Sequence, residues 1–289
     1  MSIETLRVAK EKVTNFDKLR IQTQERILAE LGKADLNRFA DKPASSEPPQ
    51  MGLYRAFKQF ARGGVIGAEQ IQALLGNAVE KQQEVETLLF WGASDKPSLG
   101  ANDYRFINKL HNLRESVEQI YPPGLAVNVI FADYHVISNG YGNQETAQLI
   151  PEAQGYLNQA RDALQEMGFG SNRFFWLSEL YSKYGFPYHV DMSGITQSSL
   201  SYQVFLANRE YLEANAQNYS RSANGDTELA AVLYVERRIR EKGLLQAEFP
   251  STILIASGIK KAARDIILPD AMPGVFFGDH APWFQKDQI

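Results

Sequence analysis

From Val85 onward the apolar residues fall into short dense runs separated by longer mixed stretches, the rhythm of strands alternating with helices. Val85 to Trp91 predicts a strand, Asp103 to Tyr121 a helix, and Ala126 to Ala132 a second strand. Val127, Val129, Ile130 and Phe131 make that second strand almost wholly apolar, as a strand covered on both faces requires. Glu145 to Met167 follows as a helix and Arg173 to Leu177 as a strand. Helices around Tyr202 to Tyr219 and from Glu228 to Lys242, broken at Ser220 to Asp226, lead to a strand at Ser251 to Ala256. Such alternation argues for a parallel sheet with right-handed crossovers. The expected fold class is α/β, a Rossmann-like doubly wound sheet preceded by a helical N-terminal segment.

That segment is residues 1–83. Ile21, Ile27, Leu28 and Leu31 recur at helical spacing before Gly32, while Lys42 to Pro49 has the composition of a solvent-facing linker and Gly63-Gly64 interrupts the next helical stretch. Residues 1–83 form a candidate lid over a catalytic domain at residues 84–289.

The chemistry is expected where the second strand ends. Tyr121-Pro122-Pro123-Gly124 stops a helix, the strand follows, and Asp133 opens the polar run His135 to Gly142, at the carboxyl edge where open α/β sheets bind ligands. Trp91, Gly92, Ala93 and Ser94 follow the first strand, with small residues that permit close backbone approach. A carboxylate at Asp133 suits the neutral diol of a ribose and repels a phosphate; its alternative role is to cap the turn through Ser138, Asn139 and Gly140. Trp91, Tyr134, Tyr141, Phe174, Phe175, Trp176, Tyr181 and Trp283 fall near predicted strand ends. Aromatic faces attract a cation by about 0.5–2 kcal/mol each, although large aromatics also fill cores. Asn139 and Ser201, the latter in a polar run with Ser193, Ser198 and Ser199, suit an amino-acid end, and a helix N-cap accounts for one of the serines. The candidate catalytic residues are Asn139, Tyr141 and Ser201. The candidate substrate-binding residues are Trp91, Gly92, Ser94, Asp133, Tyr134, Phe175 and Trp176.

Composition removes several other classes. In 289 residues there is no cysteine, so thiolate metal sites, disulfides and cysteine nucleophiles are absent. A net charge of −4 gives no global attraction to nucleic acid or anionic membrane. The apolar runs are too short to span a bilayer, and a cytoplasmic protein acting on a small molecule is expected. No metal is expected either: His111, His135, His189 and His280 lack ligand spacing, and His189 with Asp191 has no evident third partner. No serine sits in a nucleophile motif. The helix from Glu228 to Lys242, with Glu236, Arg237, Arg238, Arg240 and Glu241, reads as a charged solvent face with intrahelical pairs, and Tyr234 or Glu236 becomes a site residue only if aimed inward.

The order of these pieces resembles the isocyanide synthase family of pyoverdine and dityrosine biosynthesis. It is carried by Ile120 to Gly124, the strand ending in Asp133, the helix running to Gly168, Arg173 to Leu180, Phe249-Pro250 before a strand, and Ala281 to Phe284, over roughly residues 85–284. The resemblance implies a site for an amino acid and a sugar phosphate. This chain departs from it: Thr252 to Gly258 lacks the family's arginine and histidine, and Phe284 replaces a histidine after Pro-Trp, leaving Lys96, Lys260 and Lys261 as candidate phosphate contacts. Inheritance of the fold without the activity is therefore expected. The acid and small residues at the strand ends fit S-adenosylmethionine, and the chain is also similar to azetidine-2-carboxylate synthases, which implies an intramolecular cyclisation in natural-product biosynthesis with S-adenosylmethionine as substrate. The alternatives are a methyltransferase, an isocyanide synthase using ribulose 5-phosphate, and a non-catalytic binding protein. Oligomeric state is not encoded legibly.

Overall fold

The computed structural model describes residues 47–92, 98–133, 143–185, 195–216, 226–257 and 272–278, all but Glu47 within a compact unit that runs from Pro48 to Ile289. It is a Rossmann-like α/β fold. The helices are α1 (Pro49–Phe60), α2 (Ala68–Lys81), α3 (Ala101–Ile120), α4 (Asn143–Glu166), α5 (Leu177–Tyr184), α6 (Leu200–Ala207), α7 (Arg209–Ala216) and α8 (Thr227–Glu248). The strands are β1 (Gly64–Ile66), β2 (Val85–Gly92), β3 (Leu125–Ala132), β4 (Phe174–Trp176), β5 (Ile253–Ala256) and β6 (Gly274–Phe276).

One sheet holds all six in the order β1-β6-β5-β2-β3-β4. β2 to β6 run parallel, and only β1 is antiparallel, against β6. The chain lays β3 and β4 on one side of β2, then returns to lay β5 and β6 on the other. Direction therefore reverses between β2 and β5, which makes their carboxyl ends the switch point of the sheet.

Alternate residues of the strands feed two cores. Leu89, Trp91, Val127, Val129, Phe131, Ile253 and Ile255 pack beneath α1 to α4. Leu88, Ile130 and Ala132 face the other way, onto Leu177 and Leu180 of α5 and Leu244 and Leu245 of α8. All eight residues of β3 are buried, which explains why all but Asn128 are apolar; the Asn128 amide donates to Glu86 and to the Thr87 carbonyl. The turn that opens β3 is fixed from below. Gly124 takes the left-handed φ of 84° that closes the Pro-Pro turn, and the Tyr121 hydroxyl donates to the carbonyls of Ala78 and Gln83, tying the end of α2 to it.

Two expectations need correction. The single helix expected over Tyr202 to Tyr219 is interrupted at Asn208, whose amide donates to the Val204 carbonyl at 3.0 Å and ends α6; residues 217–225 lie outside the described residues. The segment up to residue 83, expected as helices with interruptions, also supplies a strand, β1, beginning at the second glycine of the Gly63-Gly64 break. Among the described residues no helix is long and apolar enough to cross a membrane.

Candidate functional site

Asp133 stands at the carboxyl end of β3, one residue beyond the Gly92↔Ala132 pair that closes the β2–β3 ladder. Its Oδ1 accepts the backbone N–H of Ser178 at 3.0 Å and its Oδ2 the Ser178 hydroxyl at 2.5 Å, so it caps the first turn of α5 directly past β4. Ser138, Asn139 and Gly140, through which Asp133 was expected to cap a turn, lie outside the described residues.

A second acid occupies the β2 side of the same edge. α3 follows β2, and its Phe106 ring lies edge-on to Trp91 at 5.8 Å, which brings the N-terminal part of α3 beside the end of that strand. Asp103, fully buried in the first turn of α3, accepts the Gly100 N–H at 2.8 Å and the Tyr156 hydroxyl at 2.5 Å. A helix N-terminus here would normally attract a phosphate, but its partial positive charge already faces an internal carboxylate.

The aromatics divide between the two faces of the sheet. Trp91 is wholly buried in the core under α3, and Trp176, half-buried, stacks on Phe131 at 5.3 Å on that same side. Phe175 points to the opposite side and meets Phe249 edge-on at 5.1 Å. The structure therefore does not bring Trp91 and Phe175 together as one wall. Gly92 is the last residue of β2. Ser201 is fully buried on α6, one turn before Phe205 of the cluster that joins α6, α7 and α8, and its hydroxyl has no hydrogen-bond partner among the described residues. Ser94, Tyr134, Asn139 and Tyr141 lie outside the described residues, as do His189, Asp191, Trp283, Lys96, Lys260 and Lys261.

Sequence reasoning missed a polar cluster on α8. The intrahelical pairs expected there exist, Arg240–Glu236 at 2.9 Å and Arg238–Glu241 at 2.7 Å. The solvent face does not: Arg237 and Glu241 are only 7% and 2% exposed. Glu241 accepts the Tyr181 hydroxyl on Oε1 at 2.7 Å and Arg238 on Oε2. Burial, reinforced by the Glu241 carboxylate, raises the Tyr181 phenol far above its ordinary pKa, so it remains a donor at every physiological pH. Burial also lowers the pKa of Arg237, a cost that Glu241 offsets and Arg238 adds to. The i,i+3 and i,i+4 charges of an exposed helix look the same in sequence, which is why the cluster was not legible.

With this geometry in hand, the likeness to known structures can be stated. No protein-family model and no curated protein sequence matches the chain. Superposition on the PvcA protein from Pseudomonas aeruginosa covers 82% of this chain and 87% of PvcA, with a TM-score of 0.54 at 13% sequence identity. The fold is that of PvcA. This agrees with the resemblance to isocyanide synthases at the level of architecture. A looser overlap, TM-score 0.43 at 14% identity over 78% of this chain and 63% of the other, is with a tyrosyl-tRNA synthetase complexed with L-tyrosine from Archaeoglobus fulgidus.

Proposed function

We propose that the chain is a biosynthetic enzyme that binds S-adenosylmethionine at the carboxyl edge of its sheet and cyclises it to azetidine-2-carboxylate, releasing methylthioadenosine. The observation that supports this reading is Asp133 at the end of β3, together with Asp103 buried at the N-terminus of the helix that follows β2. Asp103 fills the helix terminus that would otherwise take a phosphate, and Asp133 stands on the adjacent strand where a ribose diol would accept its company. An edge lined in this way favours a neutral nucleoside over a sugar phosphate.

In the reaction the lone pair of the substrate's own amine attacks its γ-carbon, the carbon–sulfur bond breaks with its electrons passing to sulfur, and the nitrogen loses a proton. The demand on the protein is to fold the methionine chain into a near-attack shape and to hold the amine unprotonated, work for which no metal is needed. Asn139 and Ser201 are assigned to the amino-acid end, with Tyr141 and Phe175 offering aromatic surface to the sulfonium.

The test is incubation of the purified chain with S-adenosylmethionine alone, followed by mass spectrometry against a protein-free control. Methylthioadenosine together with the four-membered amino acid is expected. S-adenosylhomocysteine in their place would assign methyl transfer instead, and ligand recovered intact would remove the cyclase reading. A second reading, an isocyanide synthase, is favoured by the buried guanidinium of Arg237 on α8, a basic group of a kind that the late strand lacks. Its sign is an isonitrile formed from an amino acid and ribulose 5-phosphate.

A further inference from the structure

Among the described residues the buried side chains form three apolar clusters, and one of them contains no strand residue. Phe205, Leu212, Ala230, Ala231, Val232 and Val235 close on one another between α6, α7 and the first half of α8. α8 therefore serves two cores. Near its end Leu244 and Leu245 lie with Leu88 and Ile130 of the sheet, and the charged stretch from Glu236 to Glu241 separates them from the residues that pack under α6 and α7.

Lengths place the third cluster. α8 has 22 residues, about 33 Å, and ends at Glu248 just before β5 begins at the amino edge, whereas the eight residues of β2 span only about 26 Å. The helix must overshoot the carboxyl edge. From Leu88, Gly92 is four residues up the strand, about 13 Å, and from Leu244, Val235 is nine residues up the helix, about 14 Å. Val235 thus reaches the height of the edge, and Ala230 and Ala231 stand beyond it. α5 gives the same height, since its Ser178 bonds Asp133 at the edge and Tyr181, one turn on, bonds Glu241.

This outlying unit is held weakly. Its only large buried apolar side chains are Phe205 and Leu212. Its charged links, Arg209 to Glu213 and to Glu228, are solvent-exposed, and such pairs contribute little. The buried Ser201 hydroxyl has no partner among the described residues, and a bond left unmade counts against the packed state. Parts of a fold with few buried apolar contacts open on their own, and lids are drawn from them. We propose that α6, α7 and the first half of α8 form a lid beyond the carboxyl edge, which opens as one unit while the sheet and its two cores stay folded. Its closure on a nucleoside rests on the S-adenosylmethionine reading; its opening does not.

The experiment is amide hydrogen exchange of the full chain across a urea series, read by peptide. Amides of α6, α7 and α8 up to Val235 should share one opening about a hundredfold or more faster than that of β2 and β3, with a shallower urea dependence. Phe205→Ala should speed those same amides by at least about tenfold and leave β2 and β3 unchanged. If F205A does not fold, F205L is read by the same contrast. One rate and one urea dependence for lid and sheet, or equal acceleration of both by the substitution, overturns the lid. S-adenosylmethionine is then added to the same preparation, with binding followed by calorimetry. Bound ligand should slow the lid amides about tenfold, and bound ligand that leaves them unchanged overturns the closure. If calorimetry shows no binding, the S-adenosylmethionine reading is what fails, and the ligand-free exchange still decides the lid: a common opening of the three helices upholds it, and opening only together with the sheet overturns it.

Discussion

At the scale of single residues, Asp133 has a structural bond already made and a ligand role proposed, and the two are separable. Asp133→Ala removes the cap of α5 and should cost about 0.5–2 kcal/mol in urea unfolding, and it should also weaken S-adenosylmethionine binding by tenfold or more. Ser178→Ala leaves the carboxylate in place, so it should show a stability loss with little effect on binding. Equal binding losses in the two variants would make Asp133 a structural residue only. Tyr181→Phe deprives buried Glu241 of a hydrogen-bond donor and should destabilise by about 1–3 kcal/mol; an unchanged unfolding midpoint would show that the bond contributes nothing. Asp133 was legible in the sequence because an acid after an almost wholly apolar run marks a strand end. Arg237 was not, because burial of a charged helical residue depends on which helices later cover it, and α5 and α8 meet across some sixty positions.

At the scale of elements, β2 and β3 were legible because each carries a short dense apolar run, Leu88 to Trp91 and Val129 to Ala132, bounded by polar or turn residues. β1 and β6, three residues each, are too short to show a period, and their pairing rests on closeness rather than pattern: a Cβ added at Gly278 would lie 2.7 Å from the Gly63 nitrogen. α8 is anchored at both ends of its sheet-facing stripe. Leu244→Ala should cost about 2–5 kcal/mol by opening the core against Leu88 and Ile130. Lower down, Glu248 accepts Lys183 and Tyr184 from α5. Those bonds, Lys183 first, hold its pKa below the ordinary carboxylate value. A carboxyl lowered in the folded state contributes its full stability above its unfolded pKa and loses it as pH falls through the folded one. Wild type should therefore exceed E248Q in stability at pH 7, and the two should converge in acid below about pH 4. A gap that persists undiminished in acid would rule out this pairing as its source.

At the scale of the whole molecule, the architecture followed from the order of runs and breaks, and the likeness to PvcA at 13% identity shows how far one fold can persist with few residues in common. The candidate site was less legible: four of its predicted residues, Ser94, Tyr134, Asn139 and Tyr141, lie outside the described residues, and Trp91 and Phe175 were expected together but face opposite cores. What the fold adds is an arrangement of charge that no segment shows alone. Asp133 ends β3 and caps α5, while Asp103 is buried in the first turn of the helix that follows β2. On the proposed reading this edge takes a nucleoside bearing an amino acid. Calorimetric titration of one preparation with S-adenosylmethionine and, separately, with ribulose 5-phosphate tests this most directly. Saturable binding of S-adenosylmethionine with none of the sugar phosphate is the predicted result, and the reverse would contradict the account.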